Sequence, residues 1–233
     1  MNNKKFLIIV PVYNEEEILE KNIKKLNSFL SKNFNDYLLV IADNLSNDKT
    51  PIISKKLEKE LKKVFYLRIN KKGKGIAIKF AVSRFFDEFD YFMFIDADLP
   101  VDLKVIKKFY EKLKDYDLVL GHREFEYIPF IRKITSFGYK LLANLILFCS
   151  FSKIKDFQAG IMAWNKRVAG ILTKEVKDNH WFFNTELIYL ALKNKKRVCF
   201  VKINYKIEKR SSVKVFRDSL YFLKKLIEFR LRN

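Results

Sequence analysis

"YFMFIDADLP", residues 91–100, decides the fold. Five apolar or aromatic residues run without a polar break, as in a strand buried on both faces. The run then stops on two acids, Asp96 and Asp98, separated by Ala97. A strand ending in Asp-x-Asp brings hard oxygen donors within reach of one divalent cation, Mg²⁺ or Mn²⁺, which keeps positions open for phosphate oxygens. The bland alternative is a pair of loop-capping carboxylates, and the spacing alone does not choose between the two.

The chain around this stretch alternates. "KFLIIVPVY" (5–13) reads as a buried strand, and residues 15–32 carry Ile18, Leu19, Ile23, Leu26, Phe29 and Leu30 at helical spacing. "DYLLVIAD" (36–43) is a second strand, followed by a polar turn and a helix over 51–63 that starts at Thr50-Pro51. "VFYLRIN" (64–70) is a third strand, "KKGKG" a basic glycine turn, and 76–87 a helix before the strand ending at Asp96. Strands alternating with helices predict an α/β fold, a mostly parallel sheet flanked by helices. Ligands bind such sheets beyond the carboxyl ends of the strands. Asn14-Glu15, Asp43, the turn 72–75 and Asp96/Asp98 all fall at such ends. Their shared edge favours a site over four unrelated loops.

The second half is less regular. "DLVLGHR" (117–123) is a strand ending in Arg123, and an apolar helix spans 134–151. "DFQAGIMAWN" (156–165) follows, then a helix at 183–194 and a strand "RVCFVKINY" (197–205). Residues 212–233 form a basic amphipathic helix with Phe216, Leu220, Leu223 and Ile227 on one face.

Composition narrows the setting. The 233 residues carry a formal net charge of +20, which points to anionic partners. Lysine is abundant throughout, so charge alone selects no partner. Cys149 and Cys199 have neither metal spacing nor a disulfide framework, and a cytoplasmic location is expected. No run reaches the roughly 20 apolar residues of a spanning helix. A nucleic-acid-binding role is not expected, because the basic residues do not interleave with aromatics in a recognisable motif. Intact Asp96 and Asp98 argue against a catalytically silent protein.

Five segments occur in order: "VPVYNEE" (10–16), "IADNLSNDKT" (41–50), "NKKGKGIAIKFAV" (70–82), "FIDADLP" (94–100) and "LGHR" (120–123). Together they resemble the family 2 inverting glycosyltransferases of the GT-A fold, which use nucleotide sugars. The resemblance is strong over residues 5–165. It implies that Pro11, Tyr13, Glu15, Asp43, Asp96 and Ala97 bind the donor nucleotide, and that Asp96 and Asp98 hold the metal; Lys74, a further donor-site candidate beside Gly73, either approaches phosphate or only solvates its turn. Asp96, Asp98 and Arg123 are the candidate catalytic residues.

The acceptor reading starts from chemistry. A sugar hydroxyl needs a general base, whereas a phosphate monoester, with a second pKa near 6, is already ionised. Residues 120–233 contain no adjacent acidic pair. They contain instead "GHR", "IRKITSFGYKLLAN", "DFQAG" and "KRSSVKV". This pattern is similar to the dolichyl- and polyprenyl-phosphate hexosyltransferases. The resemblance implies a lipid-phosphate site of Arg123, Arg132, Ser136, Arg210 and Lys214. The expected donor is GDP-mannose or UDP-glucose. The chain departs from that pattern at Pro100, where glutamine is usual, at His122 in place of serine, and at Val213 before Lys214. The rival expectation is a family 2 enzyme acting on a glycan hydroxyl.

The expected organisation is a GT-A domain over 1–211 and a C-terminal helix over 212–233, with peripheral contact to the cytoplasmic membrane face. The aromatic run His180, Trp181, Phe182 is read as core, with an acceptor-tunnel role as its alternative.

Overall fold

The computed structural model describes residues 4–125, 130–148, 154–158, 160–205 and 215–232, and the side chains of these except 125, 130–136, 148, 205 and 215–219. Seven strands form one sheet in the order β3-β2-β1-β4-β6-β5-β7. The strands are β1 (Phe6–Val12), β2 (Tyr37–Asp43), β3 (Val64–Arg68), β4 (Tyr91–Ile95), β5 (Leu118–Phe125), β6 (Ile161–Asn165) and β7 (Val198–Tyr205). The expected apolar runs are all strands. β6 is antiparallel to both β4 and β5; every other pairing is parallel.

The helices are α1 (Leu19–Asn33), α2 (Thr50–Glu60), α3 (Lys74–Arg84), α4 (Val105–Lys112), α5 (Phe130–Phe148), α6 (Lys166–Lys174), α7 (Phe183–Lys193) and α8 (Val215–Arg232). Three of these elements, α4, β6 and α6, go beyond the sequence reading. Each is only five to nine residues long. A run of that length gives too few repeats for its period to show.

Both faces of the sheet are covered. Phe6, Ile8 and Val10 of β1 pack with Leu19, Ile23 and Leu26 of α1 on one face, while Leu7 and Ile9 pack with Ala77 and Ile78 of α3 on the other. This explains why the strand reads as an unbroken apolar run: both sets of alternating side chains are buried. In β4, Phe92 and Phe94 face the α3 side and Met93 and Ile95 the α1 side.

α8 joins the α3-side core through Phe222, Leu226 and Phe229, which are all buried. The buried face is a different stripe from that of Phe216, Leu220, Leu223 and Ile227. Leu220 and Ile227 are exposed, Leu223 is half-buried, and the side chain of Phe216 lies outside the described ones. α5 is two-sided: Ala143, Asn144 and Leu147 are buried, while Phe137, Leu142 and Leu145 are exposed. Among the described residues, no helix is long and apolar enough to cross a membrane.

Candidate active site

The parallel strands deliver their carboxyl ends to one edge, and the reversed direction of β6 brings its amino end there too. The main chain joins the two, since Asp96 N donates to Gly160 O at 3.0 Å.

β1 ends in a left-handed turn at Asn14 (φ 55°). Asparagine tolerates that conformation better than most residues. Asn14 N donates to Ser46 Oγ at 3.0 Å, Glu15 N to Thr50 Oγ1 at 2.8 Å, and Asn47 N to Asn14 Oδ1 at 2.9 Å. The loops after β1 and β2 are thus laced together by side-chain bonds to main-chain amides. Tyr13 projects from this floor, 40% exposed, with the Lys72 ammonium 5.3 Å from its ring centre. Pro11 is half-buried, next to the last residue of β1.

Asp43 ends β2 and is completely buried. Its Oδ1 accepts from Ser46 N at 2.9 Å, and its Oδ2 from the Tyr66 hydroxyl at 2.8 Å and Arg68 Nη1 at 2.9 Å. Burial pushes the Tyr66 hydroxyl up to about 12, so it stays a donor across the ordinary pH range. Asp43 therefore anchors the turn after β2 as well as standing at the position expected to meet the nucleotide.

β4 ends at the aspartates. Leu99 is forced into the left-handed region (φ 48°), which tightens the turn, and Leu99 N donates to Asp96 O at 3.0 Å. Asn22 of α1 donates to Ala97 O at 2.8 Å and pins the middle of the motif. Lys74 forms an ion pair with Asp96, and its ammonium lies 4.8 Å from the centre of the Phe94 ring. Lys74 and Asp96 are each partly exposed, with side chains at 19% and 28%.

The basic glycine turn has a specific construction. Gly73 has φ 139°, and a Cβ there would lie 2.1 Å from Asn179 O. The first α3 amides are taken by protein carbonyls: Gly75 N donates to His180 O and Ile76 N to Asn179 O. An anion at this edge thus meets the side chains of Lys72 and Lys74 rather than these two helix amides.

Arg123 of β5 is gripped by Asp156. Nε donates to Oδ2 at 2.7 Å and Nη2 to Oδ1 at 2.9 Å, a bidentate fork. Asp156 belongs to the segment entering β6, which Asn144 of α5 secures: Asn144 donates to Ile154 O at 3.0 Å and accepts from Ile154 N at 2.8 Å. Burial holds the neighbouring His122 imidazole below its ordinary value.

Of the expected acceptor residues, the structure describes the Arg123 side chain. Arg132 and Ser136 lie on α5 with side chains outside the described ones, and Arg210 and Lys214 lie outside the described residues altogether. Phe182 is buried as expected, but His180 and Trp181 are exposed. Sequence reading did not single out Asn22, Asn144 or the clamping role of Asp156. Only "DFQAG" carried a signal, as a motif without a partner.

The donor set fits a hard divalent cation in part. Two carboxylates, Asp96 and Asp98, follow the end of β4, and among the described residues no group of three or more His, Cys, Asp or Glu forms a metal-sized cluster. Two protein oxygens suit Mg²⁺ or Mn²⁺ that completes its shell with water and diphosphate.

A seven-stranded sheet of this order, with Asp-x-Asp at the end of its fourth strand, is a GT-A fold. The chain belongs to the glycosyl transferase family 2, whose profile matches residues 7–169. It is 26% identical over 91% of its length to Glycosyltransferase AglD of Haloferax volcanii, spanning 35% of that protein. It is 31% identical over 70% of its length to a dolichol-phosphate mannosyltransferase of Pyrococcus furiosus, spanning 47% of it. The chain thus spans less than half of either relative. Among solved structures, glucosyl-3-phosphoglycerate synthase from Mycobacterium tuberculosis, in complex with Mn²⁺, UDP and glucosyl-3-phosphoglycerate, superposes with a TM-score of 0.70 at 16% identity, over 96% of this chain and 80% of that one.

Proposed function

We propose that the chain is an inverting hexosyltransferase that moves a hexose from GDP-mannose or UDP-glucose to dolichyl or polyprenyl phosphate. One observation carries the reading. The edge that presents Asp96 and Asp98 also presents the cations Lys74 and Arg123, while residues 120–233 contain no adjacent acidic pair to serve as a base. A named dolichol-phosphate mannosyltransferase among the relatives supports the acceptor class.

In this reading Asp43 and the laced loops 13–16 and 44–50 seat the nucleoside. Asp96 and Asp98 would hold Mg²⁺ or Mn²⁺, which when bound neutralises charge on the departing diphosphate. Lys74 adds a second positive charge beside the same oxygens. Arg123, oriented by Asp156, holds the lipid phosphate, with Arg132, Ser136, Arg210 and Lys214 as the remaining acceptor ligands. A phosphate oxygen attacks the anomeric carbon as the bond to the diphosphate oxygen breaks, and the nucleoside diphosphate leaves. The phosphate is already ionised and needs no base. Inversion follows from the single in-line displacement.

Phe137, Leu142 and Leu145 on α5 are exposed, and on α8 exposed Leu220, Ile227 and Leu231 alternate with exposed Lys224 and Arg230. Such a surface suits peripheral contact with an anionic leaflet.

The test is a transfer assay with purified protein, Mg²⁺ or Mn²⁺, labelled nucleotide sugars and short polyprenyl phosphate. Label is expected in the organic phase as a lipid-linked sugar. Label confined to water-soluble glycan would overturn the acceptor and favour transfer to a glycan hydroxyl.

A further inference from the structure

Segment 176–180 plays no part in the reading above, yet three helices hold it. Glu186 on α7 is 1% exposed. Its Oε2 accepts from Asp178 N at 2.8 Å, and its Oε1 from Nη2 of Arg232, in the last turn of α8, at 2.9 Å. Asp178, itself buried, accepts from His180 N at 2.8 Å and from the Tyr221 hydroxyl of α8 at 3.3 Å, with the Lys225 ammonium 3.6 Å away. From α3, Lys79 donates to Val176 O at 3.1 Å and Asn179 Oδ1 at 2.7 Å.

The product of this bracing is a pair of aimed carbonyls. Asn179 O accepts from Ile76 N at 3.0 Å and His180 O from Gly75 N at 3.2 Å. The fit leaves no slack, since a Cβ on Gly73 would lie 2.1 Å from Asn179 O and one on Gly75 2.9 Å from His180 O. Lys74, between these glycines, is the residue paired with Asp96.

A buried carboxylate is costly unless it is fully partnered, so Glu186 is a poor choice for filling space. It is a good choice for fixing a direction, because its two oxygens bind one main-chain amide and one guanidinium. We propose that Glu186 is a positioning residue for the donor turn, and that the last turn of α8 supports the donor site through it. Arg232 holds Glu186, Glu186 holds the 178–180 segment, that segment seats Gly73–Gly75, and the turn places Lys74 against Asp96. The proposal rests on the reading that Lys74 and Asp96 hold the donor diphosphate.

The test measures UDP and GDP binding by calorimetry with Mn²⁺, without acceptor, on the full chain. Glu186→Gln, Arg232→Ala, Arg232→Lys and the Glu186→Gln/Arg232→Ala double variant are compared well below their melting temperatures. Glu186→Gln is expected to weaken the preferred nucleotide about tenfold, as loss of a supporting outer contact does. Arg232→Ala should weaken it about threefold, in keeping with a half-exposed ion pair. Arg232→Lys should recover most of that loss, and the double variant should bind no worse than Glu186→Gln alone. In transfer assays the donor KM should rise more than kcat falls. A folded Glu186→Gln variant with unchanged affinity overturns the proposal. Should it fail to fold, Arg232→Ala decides alone: unchanged affinity there overturns the proposal. If the unmodified chain binds neither nucleotide, the donor reading itself has failed, a result distinct from a loss confined to the variants.

Discussion

Two arginine–carboxylate pairs stand at the same sheet edge, and they are built in opposite senses. In the first, the acid is fixed: Asp43 ends the interior strand β2, fully buried, and Arg68 reaches it from the neighbouring edge strand β3. In the second, the arginine is on the strand: Arg123 projects from β5, and Asp156 arrives from the segment before β6. The first pair closes a turn within the donor half. The second ties a strand to a segment that α5 secures through Asn144. In each, the residue expected to meet substrate already has a protein partner, which restricts its orientation before any ligand arrives.

The comparison breaks most sharply at the metal motif. Asp98→Ala is expected to lower lipid-linked transfer by at least about a thousandfold, the scale of losing a main electrostatic contribution. Full metal-dependent transfer in that variant would remove Asp98 from the metal site. Next comes Asp156→Ala, which removes the bidentate carboxylate from the Arg123 guanidinium and should cost about 10- to 100-fold in transfer. Acceptor KM should change more than donor KM; the reverse pattern would move Arg123 to the donor half.

Gly73→Ala tests the donor half from below. A side chain there meets Asn179 O in a backbone conformation L-residues rarely adopt, so a loss of about 2–4 kcal/mol in unfolding free energy is expected. A melting temperature unchanged by this substitution would show that the turn yields. The smallest effect is at Tyr66. Tyr66→Phe removes one of three described donors to Asp43 and should cost about 1 kcal/mol. The sign with pH follows from its raised pKa. The native hydroxyl keeps its proton up to about 12, while the unfolded one ionises near its ordinary value of 10. The contribution is therefore whole below pH 10 and lost as pH rises toward 12. A spectrophotometric titration in which Tyr66→Phe has one fewer late-ionising tyrosine than the unmodified chain checks it.

Much of the donor half was legible in the sequence. β1, β2 and β4 are buried on both faces, so unbroken apolar runs marked them, and the polar residues at their ends marked the edge. What stayed hidden were partners brought together by the fold. Asn22 lies on α1, with nothing local to link it to Ala97 O. Glu186 sits in "NTELIYLAL", which reads as an ordinary helix, and only the packing of α8 reveals that its carboxylate meets Arg232. β6 was hidden differently. "IMAWN" is short and apolar, and its direction is set by its place between β4 and β5 rather than by its residues. The docked face of α8 stayed hidden because its sequence offers two apolar stripes, and docking buried the one through Phe222, Leu226 and Phe229.

The reversed strand has a consequence for how such a protein is altered. In a parallel sheet each loop at this edge runs directly into a helix, so lengthening it disturbs the packing of that helix. β6 runs the other way, and the segment at its near end passes from α5 into the strand, with Asp156 on it and Gly160 O bonded to Asp96 N. A change at Asp156 reaches Arg123 without removing the described hydrogen bonds that anchor Asp43. Under the proposed reading, exchanging residues 154–158 between relatives should alter acceptor KM more than nucleotide affinity.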